Sequence, residues 1–368
     1  MIFTAVSIFV AAFALSLSAT LLLRKIAPRV GLVDRPASRK LHAEPMPLGG
    51  GIAIFLGVTM VVAAGAIVLP ALDGHVEWLP EVVKKNIDLM SDKLPTLLAV
   101  MGGSLVILLV GMFDDIRGLS PWVRLAVEAV VAAGLFLLSP DLRLTVFTPW
   151  SVASFVYTVL WIIAITNAFN LLDNMDGLSS GVACVAGVIF LIVAAQTGQL
   201  FVAALLLALI GATLGFLVFN FPPASIFMGD AGALFIGYMM SVLTVVFTFY
   251  GPSPQKSPVL SMLLPVVILA VPLFDTLSVV VIRIRSGQPI FKADKNHFSH
   301  RLTALGMSRK QAVLTIYLVT FCTGIGAAFW HRVSTAGSLL IFGQTAAIIG
   351  LIIILEITAA RKEPEALD

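Results

Sequence analysis

Long apolar runs separated by short polar segments make up most of the chain. These runs have about the 20-residue length that an α-helix needs to cross the hydrocarbon core of a bilayer. They are apolar on every face, which is typical of helices surrounded by lipid or by other apolar helices. The pattern predicts eleven transmembrane helices, which cover residues 2–23, 49–72, 96–113, 122–138, 151–166, 179–195, 200–219, 232–250, 259–282, 312–330 and 336–358.

Composition supports a membrane protein. Hydrophobic residues make up 59% of the chain and charged residues 12%, whereas soluble domains carry about 25% charged residues. The two cysteines, Cys184 and Cys322, lie inside apolar runs and are expected to be packing residues. We therefore predict an all-α integral membrane protein, a polytopic bundle of about 11 transmembrane helices that forms a single catalytic domain over residues 1–368.

The distribution of basic residues predicts the orientation of the bundle. The first helix has no basic segment before it and is followed by Arg24 and Lys25, so it reads as a retained helix rather than a cleaved signal peptide. With the N-terminus outside and the C-terminus in the cytoplasm, 17 of the 23 Lys and Arg residues fall on the inner side and 6 on the outer side. The positive-inside rule favours this assignment.

The unusual polar residues gather in five segments that all lie on the predicted inner side. These segments are residues 31–51, 114–121, 167–177, 227–232 and 295–301. The sequence therefore predicts one catalytic cleft that faces the cytoplasm.

Carboxylates dominate three of these segments. Asp114 and Asp115 are adjacent, and Asp173, Asp176 and Asp230 lie in other segments on the same side. Such a cluster would be strongly self-repelling in a low-dielectric cleft unless a cation compensates it. Oxygen ligands favour Mg²⁺, with Mn²⁺ as the alternative, and these ions often complete their shell with phosphate oxygens. The simpler alternative is that each acid is a solvated loop residue.

A polar series runs through the third segment. Asn167, Asn170, Asp173 and Asp176 recur every three residues, so on a helix they would line one cleft. The alternative for the asparagines is helix capping at the membrane boundary. A helix that begins near Asp230, between glycines, would also direct free N–H groups at an anion.

Three residues of the last segment form a candidate phosphate clamp. They are His297, His300 and Arg301, and a guanidinium fork suits a pyrophosphate. The other basic residues of this loop are explained by topology alone. Asp275 lies inside a predicted transmembrane helix, where an ionisable group is a functional candidate by default. Pairing with a basic residue explains it at least as well as catalysis does.

Taken in order, these motifs resemble those of the polyprenyl-phosphate N-acetylhexosamine-1-phosphate transferases (glycosyltransferase family 4), over about residues 24–305. The matching pieces are Asp114-Asp115, Asn167-Ala-Phe-Asn170 through Asp176-Gly177, Met228-Gly229-Asp230 and His297-Phe-Ser-His300-Arg301. The translocase branch of this family carries three histidines in the last motif. This chain is therefore more similar to the undecaprenyl-phosphate N-acetylglucosamine-1-phosphate transferase branch.

The resemblance implies ten or eleven helices, a cytoplasm-facing cleft and four groups of site residues. The groups are the Mg²⁺ ligands Asp230 and Asn170, the lipid-phosphate residues Asp114 and Asp115, the nucleotide-site residues Asp173 and Asp176, and the pyrophosphate ligands His297, His300 and Arg301. Where the family has a lysine for the lipid phosphate, this chain has Arg124. Where the family has a glutamine four residues later, this chain has Glu128.

The resemblance also implies the reaction and its partners. The expected activity is Mg²⁺-dependent transfer of N-acetylglucosamine 1-phosphate, or a related amino-sugar 1-phosphate, from a UDP-sugar to undecaprenyl phosphate, with release of UMP. It would be the first membrane step of cell-envelope polysaccharide synthesis at the bacterial inner membrane. The partners are then a UDP-amino-sugar, a polyprenyl phosphate and membrane lipids, with no nucleic acid. The spacing of Gly211 and Gly215 permits a homodimer without requiring one.

Three alternatives stay open. The first is the phospho-MurNAc-pentapeptide translocase reaction of the same family. The second is a secondary transporter, which would place acids near the bilayer midplane. The third is a CDP-alcohol phosphotransferase, which needs an Asp-Gly followed by Ala-Arg, whereas Asp176-Gly177 is followed by Leu-Ser-Ser-Gly.

Overall fold

The computed structural model describes residues 2–34, 45–72, 81–145, 151–250, 258–291 and 296–362. The polar residues of the 35–42 stretch, together with Lys292 and Lys295, lie outside these ranges. The described helices are α1 (Ile2–Ile26), α2 (Gly50–Leu72), α3 (Glu81–Arg117), α4 (Pro121–Leu138), α5 (Ser151–Leu172), α6 (Leu178–Gln196), α7 (Leu200–Asn220), α8 (Gly229–Tyr250), α9 (Pro258–Ile268), α10 (Ala270–Arg285), α11 (Phe298–Ala304), α12 (Arg309–Gly324) and α13 (Thr335–Lys362).

The helices confirm the predicted all-α membrane architecture. Ten helical segments among the described residues are long and apolar enough to cross a membrane. The remaining predicted span, 259–282, is divided into α9 and α10 at Leu269. Pro272 explains the break, because it has no N–H to donate to the carbonyl of Ile268 and its ring crowds that carbonyl.

Helix α8 lies at the centre of the bundle and packs against α2, α3 and α5. In the 18-residue apolar stretch of α8, 94% of the residues are buried, whereas in that of α13 11% are buried. Glycines let two neighbours approach the first turn of α8 at backbone distance. A Cβ atom on Gly51 of α2 would lie 2.2 Å from the Gly232 nitrogen, and one on Gly111 of α3 would lie 2.4 Å from the Ala231 Cα.

Two short strands precede α2, and the second of them contacts the loop that leads into α8. Strand β1 (Val33–Asp34) pairs antiparallel with β2 (Met46–Pro47). The Phe227 N–H donates to the carbonyl of Pro47 (2.9 Å), and the Gly51 N–H donates to the carbonyl of Met228 (3.0 Å). The first and fourth polar segments of the sequence therefore meet at one end of the bundle.

The Gly211 and Gly215 pair packs within the chain. A Cβ atom on either glycine would lie 2.5 Å from a backbone carbonyl of α1, that of Phe9 or that of Phe13. This spacing therefore serves the contact between α7 and α1. The homodimer stays a prediction, without support from this motif.

Candidate active site

Asp230 lies in the first turn of α8, at the centre of the candidate site. Its Oδ1 accepts a hydrogen bond from the Asn170 amide at 2.5 Å, and its Oδ2 lies 3.9 Å from a guanidinium nitrogen of Arg124. A half-turn of the Asn170 amide would present its oxygen to the same space. The structure thus brings together the two residues that were predicted to bind the metal.

Asp114 and Arg124 form an ion pair beside Asp230. The Arg124 Nη1 lies 2.6 Å from the Asp114 Oδ2, and the other Asp114 oxygen accepts a 2.6 Å hydrogen bond from the Leu119 N–H. Arg124 therefore lies near two carboxylates, those of Asp114 and Asp230. One guanidinium therefore partly neutralises both carboxylates.

Asp115 caps the N-terminus of α8. Its two oxygens accept hydrogen bonds from the backbone N–H groups of Asp230 (2.8 Å) and Ala231 (3.2 Å). Gly229 has φ +73°, and a Cβ atom there would lie 2.4 Å from an Asp115 oxygen. The N–H groups that the sequence suggested for an anion are thus occupied by Asp115. Its predicted contact with the lipid phosphate stays a prediction, and the capping role was not foreseen.

Helix α5 ends at Leu172, so the predicted stripe of polar residues at every third position is not one continuous helical face. Asn170 still faces Asp230. Asn167 instead turns to α4, where its amide donates to the carboxylate of Glu128, a side chain that is 1% exposed. Asn167 therefore anchors α5 to α4 and neither caps a helix nor lines the site.

Asp173 and Asp176 lie in the turn between α5 and α6. The Asp176 carboxylate accepts a 3.0 Å hydrogen bond from the Ala224 N–H and so holds the loop before α8. Burial raises the pKa of Asp173 well above its ordinary value, and repulsion from the nearby carboxylates, that of Asp230 first, raises it further. Within the described part of the chain, no residue donates a hydrogen bond to the Asp173 side chain. The charged form of Asp173 is therefore left without a stabilising partner among the described residues.

Asn220 and Tyr317 hold this turn in place, and the sequence did not single out either residue. Asn220, which is buried, accepts a 2.9 Å hydrogen bond from the Gly177 N–H and donates a 3.0 Å one to the carbonyl of Ile226. The Tyr317 hydroxyl donates to the Gly177 carbonyl. Gly177 has φ +71°, a left-handed conformation that glycine adopts without strain because it has no Cβ atom. The one sequence signal for Asn220 is that it is a single amide at the end of an apolar helix.

Helix α11 carries the histidines to the acidic turn. The Ser299 hydroxyl donates to the side-chain oxygen of Asn174, which lies between Asp173 and Asp176. The rings of His297 and His300 are 6.3 Å apart. The third and fifth polar segments therefore adjoin, and the two predicted histidines lie on either side of Ser299 in the chain.

Arg301 is engaged by the protein itself. Its Nε lies 2.8 Å from a Glu356 oxygen on α13, its Nη2 donates to the Ser278 hydroxyl on α10 at 3.0 Å, and its Nη1 donates to the Asn296 carbonyl. Arg301 thus ties α11 to α10 and α13. Its predicted contact with pyrophosphate stays a prediction, and Glu356 is a partner that the sequence did not indicate.

The donor set fits a hard cation that the substrate helps to hold. Within the described residues, no group of three His, Cys, Asp or Glu side chains is arranged to bind a metal alone. Mg²⁺ is commonly held by one or two carboxylates, with water and phosphate oxygens completing its shell. Asp230 and Asn170 supply that minimal set, and the charge at Asp173 favours a nearby cation.

Comparisons with known proteins identify the family of the chain. The family model described as glycosyl transferase family 4 matches residues 97–248. The chain is 34% identical to the "Probable undecaprenyl-phosphate N-acetylglucosaminyl 1-phosphate transferase" of Bacillus subtilis, over 93% of this chain and 92% of the relative. It is 31% identical to the "Decaprenyl-phosphate N-acetylglucosaminephosphotransferase" of Mycolicibacterium smegmatis (91% and 82% covered). It is 28% identical to the "Undecaprenyl-phosphate alpha-N-acetylglucosaminyl 1-phosphate transferase" of Yersinia pestis (83% and 79% covered). This multi-pass membrane protein belongs to glycosyl transferase family 4.

Proposed function

We propose that the protein transfers N-acetylglucosamine 1-phosphate from UDP-N-acetylglucosamine to undecaprenyl phosphate and releases UMP. The observation that carries the proposal is the pairing of Asn170 with Asp230 beside the Asp114–Arg124 ion pair, at one end of a membrane bundle. A carboxylate that can bind a metal ion, next to an arginine, can neutralise the phosphates of two substrates that bind in one site. The names of the relatives point to the same donor group and acceptor.

The reaction is a phosphoryl transfer. An oxygen of the lipid phosphate forms a bond to the β-phosphorus of the UDP-sugar, while the bond from that phosphorus to the bridging oxygen breaks and UMP leaves with the electron pair. Arg124 neutralises the incoming lipid phosphate, and the histidines of α11 face the donor pyrophosphate. A phosphate monoester with a second pKa of about 6 is largely ionised at neutral pH, so the step needs no general base.

Asp230 and Asn170 would hold Mg²⁺, which when bound supplies positive charge to the phosphate oxygens. Asp114 is held by Arg124 and Leu119, which suits orientation of the arginine better than proton abstraction. The turn of Asp173 and Asp176 borders the same space and is assigned to the nucleotide.

The charge distribution supports a cytoplasmic active site. All five polar segments lie on the side that the excess of Lys and Arg predicts to be inner, and nucleotide sugars are supplied from the cytosol. We therefore assign the protein to the bacterial inner membrane, at the first membrane step of cell-envelope polysaccharide synthesis.

The direct test is transfer of radiolabelled sugar from UDP-N-acetylglucosamine to undecaprenyl phosphate by the purified protein. We expect labelled lipid and stoichiometric UMP with Mg²⁺, and loss of both with EDTA or in Asp230→Asn. Asp141→Asn is the matched control, because Asp141 also accepts from a cation, the Lys93 ammonium at 2.7 Å, at the opposite end of α3. It should retain activity.

Three results would revise the proposal. Product with another UDP-amino-sugar alone would change the donor, and product with UDP-MurNAc-pentapeptide alone would favour the translocase reaction. A folded wild-type protein that is inactive with every donor would refute transferase activity and leave the transporter alternative.

A further inference from the structure

Asp275 is a buried acid to which the proposed reaction assigns no role. It lies in α10 and is 0% exposed, a position where an ionised carboxylate is costly unless it is paired and hydrogen-bonded. One carboxylate oxygen lies 2.9 Å from the His297 Nδ1, and the other accepts a 2.6 Å hydrogen bond from the Phe298 N–H. Both oxygens are therefore directed at the start of α11, where the histidine motif begins.

The pairing determines which nitrogen of His297 is available to substrate. A carboxylate acceptor at Nδ1 keeps a proton on that nitrogen and stabilises the positively charged ring. Nε2, on the other side of the ring, is then the nitrogen left to meet a ligand. An imidazolium N–H donates a charge-assisted hydrogen bond to a phosphate oxygen, which a neutral ring makes less strongly.

Few other charges act on His297. On α11, His300 is 6.3 Å away between ring centroids, and Arg301 is neutralised by Glu356 of α13. On α10, Arg283 is directed to the Ile290 carbonyl at 2.5 Å.

The helices that pack against α10 contribute little charge. Neither α5 nor α9 contains an Asp, Glu, Lys, Arg or His residue. In α12 the ionisable residues are Arg309, Lys310, Tyr317 and Cys322. The Tyr317 hydroxyl is bound to Gly177, and Lys310 lies over the Phe221 ring. Among the described residues, the Asp275 carboxylate is the charged group seen within hydrogen-bond distance of the His297 ring.

We propose that Asp275 is a positioning residue that holds the His297 ring so that its Nε2 meets the pyrophosphate of the sugar nucleotide. This inference rests on the proposed function. It gives α10 an indirect part in the reaction, because Asp275 binds the two residues at which α11 begins. Asp275 acts through His297 and does not itself touch the substrate.

The test measures kcat and KM for UDP-N-acetylglucosamine separately in the full-length protein with Mg²⁺. Asp275→Asn keeps an acceptor for the Phe298 N–H but removes the carboxylate that accepts from the His297 Nδ1. We expect KM to rise about tenfold with little change in kcat. Asp275→Glu retains the carboxylate and should keep KM nearer to its wild-type value.

Thr276→Val is the matched control. Thr276 is the next residue of α10, and its buried hydroxyl has no hydrogen-bond partner in the described structure. This nearly isosteric change should leave KM unchanged. His297→Gln should raise KM at least as much as Asp275→Asn does, and Asp275→Asn in that background should have no further effect on KM.

The outcomes separate positioning from a purely structural role. A fall of kcat in Asp275→Asn with KM unchanged would overturn the inference, as would a further rise of KM when Asp275→Asn is added to His297→Gln. If Asp275→Asn does not fold, Asp275→Glu and His297→Gln decide the question together. Inactivity of the folded wild type with every UDP-amino-sugar would instead refute the proposed function.

Discussion

Substitution of Gly51 by alanine tests whether the position of Asp230 depends on close packing between α2 and α8. The added Cβ would lie 2.2 Å from the Gly232 nitrogen, 2.5 Å from its Cα and 2.8 Å from the carbonyl carbon of Ala231. All three contacts are backbone atoms, so no side chain can rotate away. Gly232 is two residues after Asp230, and the whole displacement therefore falls on the turn that carries the carboxylate.

The magnitude follows from these distances. Ordinary contact begins at 3.4 Å, so the backbones must separate from 2.2 Å by about 1.2 Å. Overpacking of this kind costs about 1–3 kcal/mol, which outweighs the gain of up to about 1 kcal/mol from replacing glycine by alanine in a helix. A displacement of about 1 Å in a catalytic group lowers the rate by about 100-fold. We therefore expect kcat to fall about 100-fold and the protein to unfold at a lower temperature.

The assay is transfer of radiolabelled sugar at saturating substrates, with thermal unfolding in detergent as the measure of stability. Helix α3 offers a matched pair of controls. Gly111→Ala would place a Cβ 2.4 Å from the Ala231 Cα and should resemble Gly51→Ala, whereas the Cβ of Gly102→Ala meets no described atom within 4 Å. Wild-type kcat in Gly51→Ala, within a factor of three, would show that the first turn of α8 tolerates displacement and that the reasoning is wrong.

Three further predictions concern the turn and the histidine helix. Because the pKa of Asp173 is raised, protons compete with the cation, so the Mg²⁺ concentration for half-maximal activity should fall as pH rises; no change with pH would contradict this. Asn220→Ala leaves the Gly177 N–H without its acceptor and should cost about 1–3 kcal/mol, measured as a lower unfolding temperature than in wild type. Glu356→Gln weakens the ion pair to Arg301 and should raise KM for the UDP-sugar more than it lowers kcat; an unchanged KM would argue that α13 does not support the site.

The sequence was sufficient for most of the fold because lipid imposes a simple rule on it. A helix in a bilayer must satisfy its backbone internally and present apolar residues, so length and hydropathy identify spans. The division of the 259–282 span was missed because its hydropathy is continuous, whereas the break depends on the missing N–H of Pro272. Local chemistry of one residue decided that boundary.

The sequence predicted which residues gather at one end of the bundle better than it predicted their contacts. The family resemblance implied Asn170 and Asp230 as metal ligands, and the structure pairs them. Asp114 and Asp115 looked equivalent as neighbours, yet successive helical residues point about 100° apart. One therefore meets Arg124 and the other meets the backbone of α8. The partners of Asp115 are 115 and 116 residues away in the chain, and no local pattern encodes them.

The capping of α8 by Asp115 has a consequence for how the site binds phosphate. A helix N-terminus commonly binds anions through its free N–H groups, but here the carboxylate of Asp115 already occupies them. The substrate phosphates must therefore be neutralised by side chains and a bound cation instead. Arg124 is shared with Asp114 and Asp230, so its charge alone cannot compensate the carboxylates and two substrates as well. Once one phosphorylated substrate is bound, binding of the other should accordingly depend on the metal more steeply than binding of the first substrate does.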